Sequence, residues 1–214
     1  MDTRILLLED PSSPYLNMMH PILQELLPEY SDWNPYNMAQ IRVDEKGRPC
    51  VEIYMGFCDD VLAGFMQVSY IYYYNKVFIN VDFIAVLPEY RKSGLGIKLL
   101  RYLKHIMQKP VENYKCMGIL GLAEVEDMEK PFSLKRLLLY SRLGAEIRRD
   151  LIYKTPDYPD SYVIFYPASK DYSGISTAAL SWQLWRISQY NAKQFRQYVA
   201  NIGYKDIRAE LSRY

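Results

Sequence analysis

Histidine and cysteine are scarce in this 214-residue chain: His20 and His105 are its 2 histidines, and Cys50, Cys58 and Cys116 its 3 cysteines. An odd number of cysteines without Cys-x-x-Cys spacing suggests neither a disulfide framework nor a zinc knuckle, so they read as small buried apolar residues. So few histidines leave a histidine-rich metal site without ligands, and no metal is expected. An excess of one charge is missing as well. The 26 basic residues are balanced by 25 acidic ones, a formal net charge of +1, which disfavours a nucleic-acid or anionic-lipid partner. No apolar run is long enough to span a bilayer. The start, Met-Asp-Thr-Arg followed by Ile5 to Leu8 and Glu9-Asp10, lacks a signal-peptide pattern, so a soluble, cytoplasmic protein without a membrane partner is expected.

The informative segment is Val81 to Leu100, VDFIAVLPEYRKSGLGIKLL. An apolar strand breaks at Pro88 and a helix restarts beyond Gly94. Glycines at 94 and 96 let the backbone turn tightly with its N–H groups facing one ligand, while the positive end of the helix dipole adds to the attraction. That order builds an anion cradle suited to a phosphate-bearing ligand. The spacing of Ile97, Leu100, Leu103 and Met107 predicts that this face of the helix meets the core. No Gly-Lys-Ser/Thr follows, as a Walker loop requires, and Arg91 stands where a Rossmann fingerprint begins with glycine.

The stretch resembles the coenzyme A signature of the Gcn5-related N-acetyltransferase (GNAT) family, a strand ending Val-x-Pro-x-Tyr followed by Arg or Gln-x-x-Gly-x-Gly. Val86, Pro88, Tyr90, Arg91, Gly94 and Gly96 occupy those positions. Further on, Leu134 to Gly144 looks like the family's last helix, which ends in Tyr-x-x-x-Gly, here Tyr140 and Gly144. The family usually has Phe after that glycine, whereas this chain has Ala145.

The remaining pattern accommodates that resemblance. Ile5 to Leu8 reads as a short buried strand, followed by a helix through Leu27 and a weaker helical segment over Asn37 to Asp44. Val51 to Phe57, Val61 to Tyr74 and Val77 to Val86 are β-rich runs separated by turn-type dipeptides, most simply an antiparallel meander. In the third run, alternation puts Val77, Ile79, Val81 and Phe83 on one face and Phe78, Asn80, Asp82 and Ile84 on the other. A strand Gly118 to Glu124, a helix Ser133 to Arg142, and strands near Glu146 to Tyr153 and Tyr162 to Tyr166 follow. The resemblance implies an α/β (α+β) fold with a mixed, mostly antiparallel sheet flanked by helices, with an acetyltransferase domain over 1–167. The remainder, 168–214, is expected to be a helical extension packed on it; Trp182 and Trp185 there suit a homodimer contact or a substrate lid.

The resemblance also implies an enzyme, an N-acetyltransferase, with acetyl-CoA as co-substrate and an amine as acceptor. The backbone of Lys92, Ser93, Gly94, Leu95, Gly96 and Ile97 would then hold the pyrophosphate with help from Arg91. A bulge in the preceding strand would leave backbone groups of Ile84, Ala85 and Val86 to pair with the pantetheine arm, the Ile84 N–H near the thioester oxygen. Tyr140 matches the tyrosine that protonates the departing sulfur. Ser133 stands where relatives have a cofactor-touching asparagine, and it also fits as a helix N-cap. Glu124 and Asp82 are the candidate bases, with Glu126 or Asp127 as substitutes. Tyr70, Tyr72 and Tyr74 share one strand face and could line an acceptor pocket. The alternative is a catalytically quiet acyl-CoA-binding or protein-interaction module on the same fold.

Overall fold

A computed structural model of the protein describes residues 2–27, 43, 47–109, 111, 113–124, 139–155, 158–176, 179 and 180, with the side chains of 123, 124, 149–155 and 158–160 outside that set. Along the chain run β1 (Thr3–Leu7), α1 (Leu16–Leu26), β2 (Val51–Cys58), β3 (Val61–Tyr73), β4 (Lys76–Val86), α2 (Leu95–Gln108), β5 (Lys115–Glu124), β6 (Glu146–Thr155) and β7 (Tyr158–Pro167). The strands form one 7-stranded sheet in the order β1-β2-β3-β4-β5-β7-β6. Pairing is antiparallel at β1–β2, β2–β3, β5–β7 and β6–β7, and parallel at β4–β5. The expected mixed, mostly antiparallel sheet is present. The chain divides into two compact units, Met1–Tyr70 with Val81–Tyr114, and Ile71–Asn80 with Lys115–Tyr214.

In the first unit, β2 directs alternate residues to opposite faces. Ile53, Met55 and Phe57 join Leu16, Met19 and Leu23 of α1, and Leu62, Phe65, Phe83 and Ala85, in one buried apolar cluster. The opposite face carries α2. A Cβ on Gly56 would come within 2.9 Å of the Leu95 side chain, and the Tyr54 and Tyr102 rings lie 5.3 Å apart. The helix buries Leu95, Leu99, Leu103 and Ile106. This corrects the stripe expected from the sequence, because Ile97 is exposed. Leucines at 95, 99, 100 and 103 satisfy two overlapping helical stripes, and packing on β2 selects the one through Leu95.

The end of α2 is tied to the sheet by a polar group. The Glu52 carboxylate accepts hydrogen bonds from the Tyr54 hydroxyl and, at 2.6 Å, from the Tyr70 hydroxyl. Lys109 Nζ donates to the Tyr54 hydroxyl at 2.8 Å and lies 3.6 Å from Glu52. Burial, and secondarily the Glu52 charge, push the Tyr54 phenol well above its ordinary pKa, so it stays a hydrogen-bond donor. Tyr70 is therefore a core residue, which removes it from the expected acceptor-lining face. Tyr74 lies beyond the end of β3 with φ +53°.

Two other expectations change. The first strand, β1, is a sheet edge that alternates half-buried and exposed residues; full burial comes only at Leu8. Val43 bridges Pro49 instead of continuing a helix, and the rest of 37–44 lies outside the described residues.

In the second unit, β4 pairs with β5 from Lys76–Lys115 to Asn80–Leu120, and β7 pairs with β5 along Gly118 to Glu124. Gly118 is required here: its φ is +151°, and a Cβ would sit 2.4 Å from the Tyr166 carbonyl oxygen. Arg148 reaches from β6 to Glu146 at 2.8 Å and to the carbonyls of Ser173 and Ile175 at 2.9 and 2.7 Å. Ile175, Ala179 and Leu180 are buried, while 181–214, with Trp182 and Trp185, lies outside the described residues.

Candidate active site

β4 ends at Val86, one 3-10 turn covers Pro88–Tyr90, and Gly94 caps α2 in the left-handed conformation with φ +84°. Proline fixes the exit from the strand and glycine supplies the positive φ that starts the helix. The Ser93 N–H donates to the Tyr90 carbonyl at 3.0 Å, and the Ser93 hydroxyl accepts the Leu95 N–H at 3.1 Å. Among the described residues, the N–H groups of Lys92, Gly94, Gly96 and Ile97 meet no acceptor. Those of Gly96 and Ile97 are first-turn helix donors, which lack intrahelical partners by construction. A Cβ on Gly94 would meet nothing within 4 Å, and one on Gly96 only Val86 Cγ2 at 3.8 Å. The space beside both glycines is therefore open, and the exposed cations Arg91 and Lys92 flank the loop. Arg91 Nε also lies 3.4 Å from the Val86 carbonyl, folding the arginine back toward the strand.

The strand before this loop is irregular. On β3, Phe65, Gln67 and Ser69 share a face, since they stand opposite Met55, Ile53 and Val51 of β2. Two consecutive β4 residues turn toward that face. Asp82 Oδ2 accepts from Gln67 Nε2 at 2.7 Å and from Ser69 Oγ at 2.5 Å, while the Phe83 ring packs edge-on against Phe65 with centroids 5.7 Å apart. Regular alternation forbids that, so the strand bulges at Asp82–Phe83. The simple face assignment for this run is corrected accordingly: Asp82 and Phe83 belong together. Beyond the bulge, Ile84 and Val86 are half-buried and Ala85 is buried.

In the second unit, Tyr-x-x-x-Gly has a backbone explanation of its own. Residues 139–142 are helical. The Ala145 N–H donates to the Tyr140 carbonyl at 3.0 Å and the Gly144 N–H to the Ser141 carbonyl at 2.9 Å, with Gly144 at φ +94°. That is the pair of bonds of a Schellman motif, with Tyr140 and Ala145 in its hydrophobic contact positions. Tyr140, Ala145 and Ile147 pack on Ile164. Glu124 ends β5 opposite Ser161; its side chain, and all of Ser133, Glu126 and Asp127, lie outside the described residues. Gln67 and Ser69 are the polar partners the sequence reading missed. Their signal was two polar residues two apart on a strand otherwise facing the core. No group of acidic, histidine and cysteine side chains that could hold a metal ion occurs among the described residues, and no helix there is long and apolar enough to cross a membrane.

The family model described as Acetyltransferase (GNAT) family matches residues 16–127, more than half of the chain. The chain belongs to the GNAT acetyltransferase family. No curated protein matches the sequence, whereas GNAT structures match the fold. A GNAT-family protein from Bacteroides thetaiotaomicron superposes with a TM-score of 0.60 at 20% identity, covering 86% of this chain and 97% of its own. The ribosomal-protein-S18-alanine N-acetyltransferase of Escherichia coli gives 0.52 at 19% identity over 82% of this chain and 99% of its own. An aminoglycoside 6'-N-acetyltransferase solved with coenzyme A gives 0.53 at 15% identity over 77% and 97%. At such identities the likeness carries the fold. The GNAT match includes the loop and Asp82 but ends before Tyr140.

Proposed function

We propose that this GNAT protein transfers the acetyl group of acetyl-CoA to a primary amine. The observation that carries the proposal is the loop entering α2, where the N–H groups of Lys92, Gly94, Gly96 and Ile97 meet no acceptor among the described residues and the Cβ positions of both glycines are open. A pyrophosphate fits there: a Cβ at either glycine would intrude where its oxygens must approach, and the helix N-terminus favours its charge by up to about 2 kcal/mol. Arg91 adds a fixed cation.

Acetyl-CoA supplies an activated thioester: the amine nitrogen bonds to the acetyl carbon as the C–S bond breaks, giving an amide, the free thiol and one proton released from the original ammonium. Asp82 receives a proton of that ammonium, directly or through water, with Glu124 as the other candidate from the sequence. The Ile84 N–H serves as the donor to the carbonyl oxygen as negative charge develops there. The Tyr140 hydroxyl gives its proton to the departing sulfur and recovers one from solvent, to which the nitrogen sheds its second proton as the amide forms.

Thiol release from acetyl-CoA should appear with at least one of a polyamine, an aminoglycoside, a lysine peptide and a peptide with a free N-terminus. Tyr140→Phe should then lower kcat about tenfold or more while leaving acetyl-CoA affinity within about twofold, since the hydroxyl acts only as charge reaches sulfur. Retention of the full rate by that variant would assign the proton to another donor. Binding of acetyl-CoA without turnover of any of these amines would favour a quiet acyl-CoA-binding module.

A further inference from the structure

Gln67 is 5% exposed on the core-facing side of β3, directly opposite Ile53 and one alternation from Phe65. An amide placed there is destabilising if its donor is left unpaired, whereas an apolar residue would pack at no such cost. Its Nε2 and the Ser69 hydroxyl, two residues on, converge on the same Asp82 oxygen at 2.7 and 2.5 Å. The β4 bulge is what brings Asp82 within reach, because unbroken alternation would send it to the opposite face from Phe83. Ile84, the proposed donor to the thioester oxygen, follows within two residues. The carboxylate and the oxyanion donor thus lie on one short irregular stretch; Gln67 and Ser69 tie its carboxylate to β3, beside the Phe83–Phe65 ring contact.

We propose that Gln67 and Ser69 are positioning residues: they hold the Asp82 carboxylate on the α1-facing side of β4, oriented to receive the proton of the acceptor ammonium. The inference rests on the amine-acetylation reading above and adds to it the choice of Asp82 over Glu124 and the identity of the groups that aim it. The ammonium proton passes to the Asp82 carboxylate and then to solvent, and the nitrogen lone pair so released forms the bond to the acetyl carbon. Neither Gln67 nor Ser69 exchanges a proton in that sequence. Each constrains the side chain that does, and Ser69 can be replaced in that role by any residue presenting a hydroxyl at the same position.

The test uses the full chain, acetyl-CoA and whichever of the four acceptors above is turned over fastest. Ser69→Ala and Gln67→Leu should each lower kcat by about tenfold, with the acetyl-CoA dissociation constant from calorimetry within about twofold of the parent. Ser69→Thr should return the rate to within about threefold. Repeated in an Asp82→Ala background, the same substitutions should cause no further loss, because groups acting through one side chain do not add. A merely structural role would give losses that multiply with that of Asp82→Ala. Should Gln67→Leu melt below the assay temperature, Gln67→Met replaces it with a chain of closer shape. Full rates in the single variants, or multiplying losses, would overturn the proposal alone. A parent chain that binds acetyl-CoA but turns over no amine would instead overturn the acetylation reading on which it rests.

Discussion

Cys116, half-buried rather than buried as its residue type led one to expect, shows how one side chain sets a pH dependence. Burial pushes its thiol from 9.0 up to about 11, partly offset by a hydrogen bond from the Gly118 backbone. The folded state then keeps a proton that the unfolded chain gives up above pH 9. This contribution to stability is complete below the unfolded value and is lost as pH rises through about 11. Urea midpoints between pH 8 and 11 should therefore fall more steeply for the parent than for Cys116→Ala, and alkylation by iodoacetamide at pH 8 should be slow until the protein unfolds. Parallel pH profiles for the two proteins would contradict this reading.

Between strands, close approach decides which glycines are replaceable. Gly56 and Gly64 face each other across β2 and β3, and a Cβ on Gly64 would lie 2.5 Å from the Ala85 carbonyl oxygen and 3.1 Å from the Val86 Cα. Those are backbone atoms of the strand that leads into the loop, so they cannot rotate away. Gly64→Ala should cost about 2 kcal/mol and lower Tm by roughly 4–8 °C. By contrast Gly121 has nothing within 4 Å of its Cβ position, and Gly121→Ala should stay within about 0.5 kcal/mol of the parent. Equal melting temperatures for the two variants would show that β4 yields at Ala85. The strand–loop–helix at this site was readable in the sequence because Pro88, Gly94 and Gly96 act through local backbone geometry. The family resemblance implied a bulge in this strand, but its place at Asp82–Phe83 was hidden, since alternation alone cannot mark where a strand skips a step. The α2 stripe was ambiguous for another reason: its leucines fit two faces, and only the glycine gap at Gly56 decides between them.

Across the whole molecule, the type and sequence order of the seven described strands, α1 and α2 followed from periodicity and turn residues, as did the antiparallel meander, whose partners are neighbours in the chain. The insertion of β7 between β5 and β6 did not, because it depends on pairing between distant segments that no local pattern encodes. Family membership was legible from the loop signature, and the match over residues 16–127 accords with it. The central claim is that the loop entering α2 cradles the coenzyme A pyrophosphate, and Gly96 allows it to be tested apart from folding. Since a Cβ there would meet only Val86 at 3.8 Å, Gly96→Ala should fold normally and even gain up to about 1 kcal/mol of helix stability. The same methyl group would stand where the phosphate oxygens must approach. Calorimetric titration with acetyl-CoA should give one site per chain in the parent and at least about tenfold weaker binding in Gly96→Ala, at equal or higher Tm; unchanged affinity in that variant, or no binding by the parent, would contradict the claim.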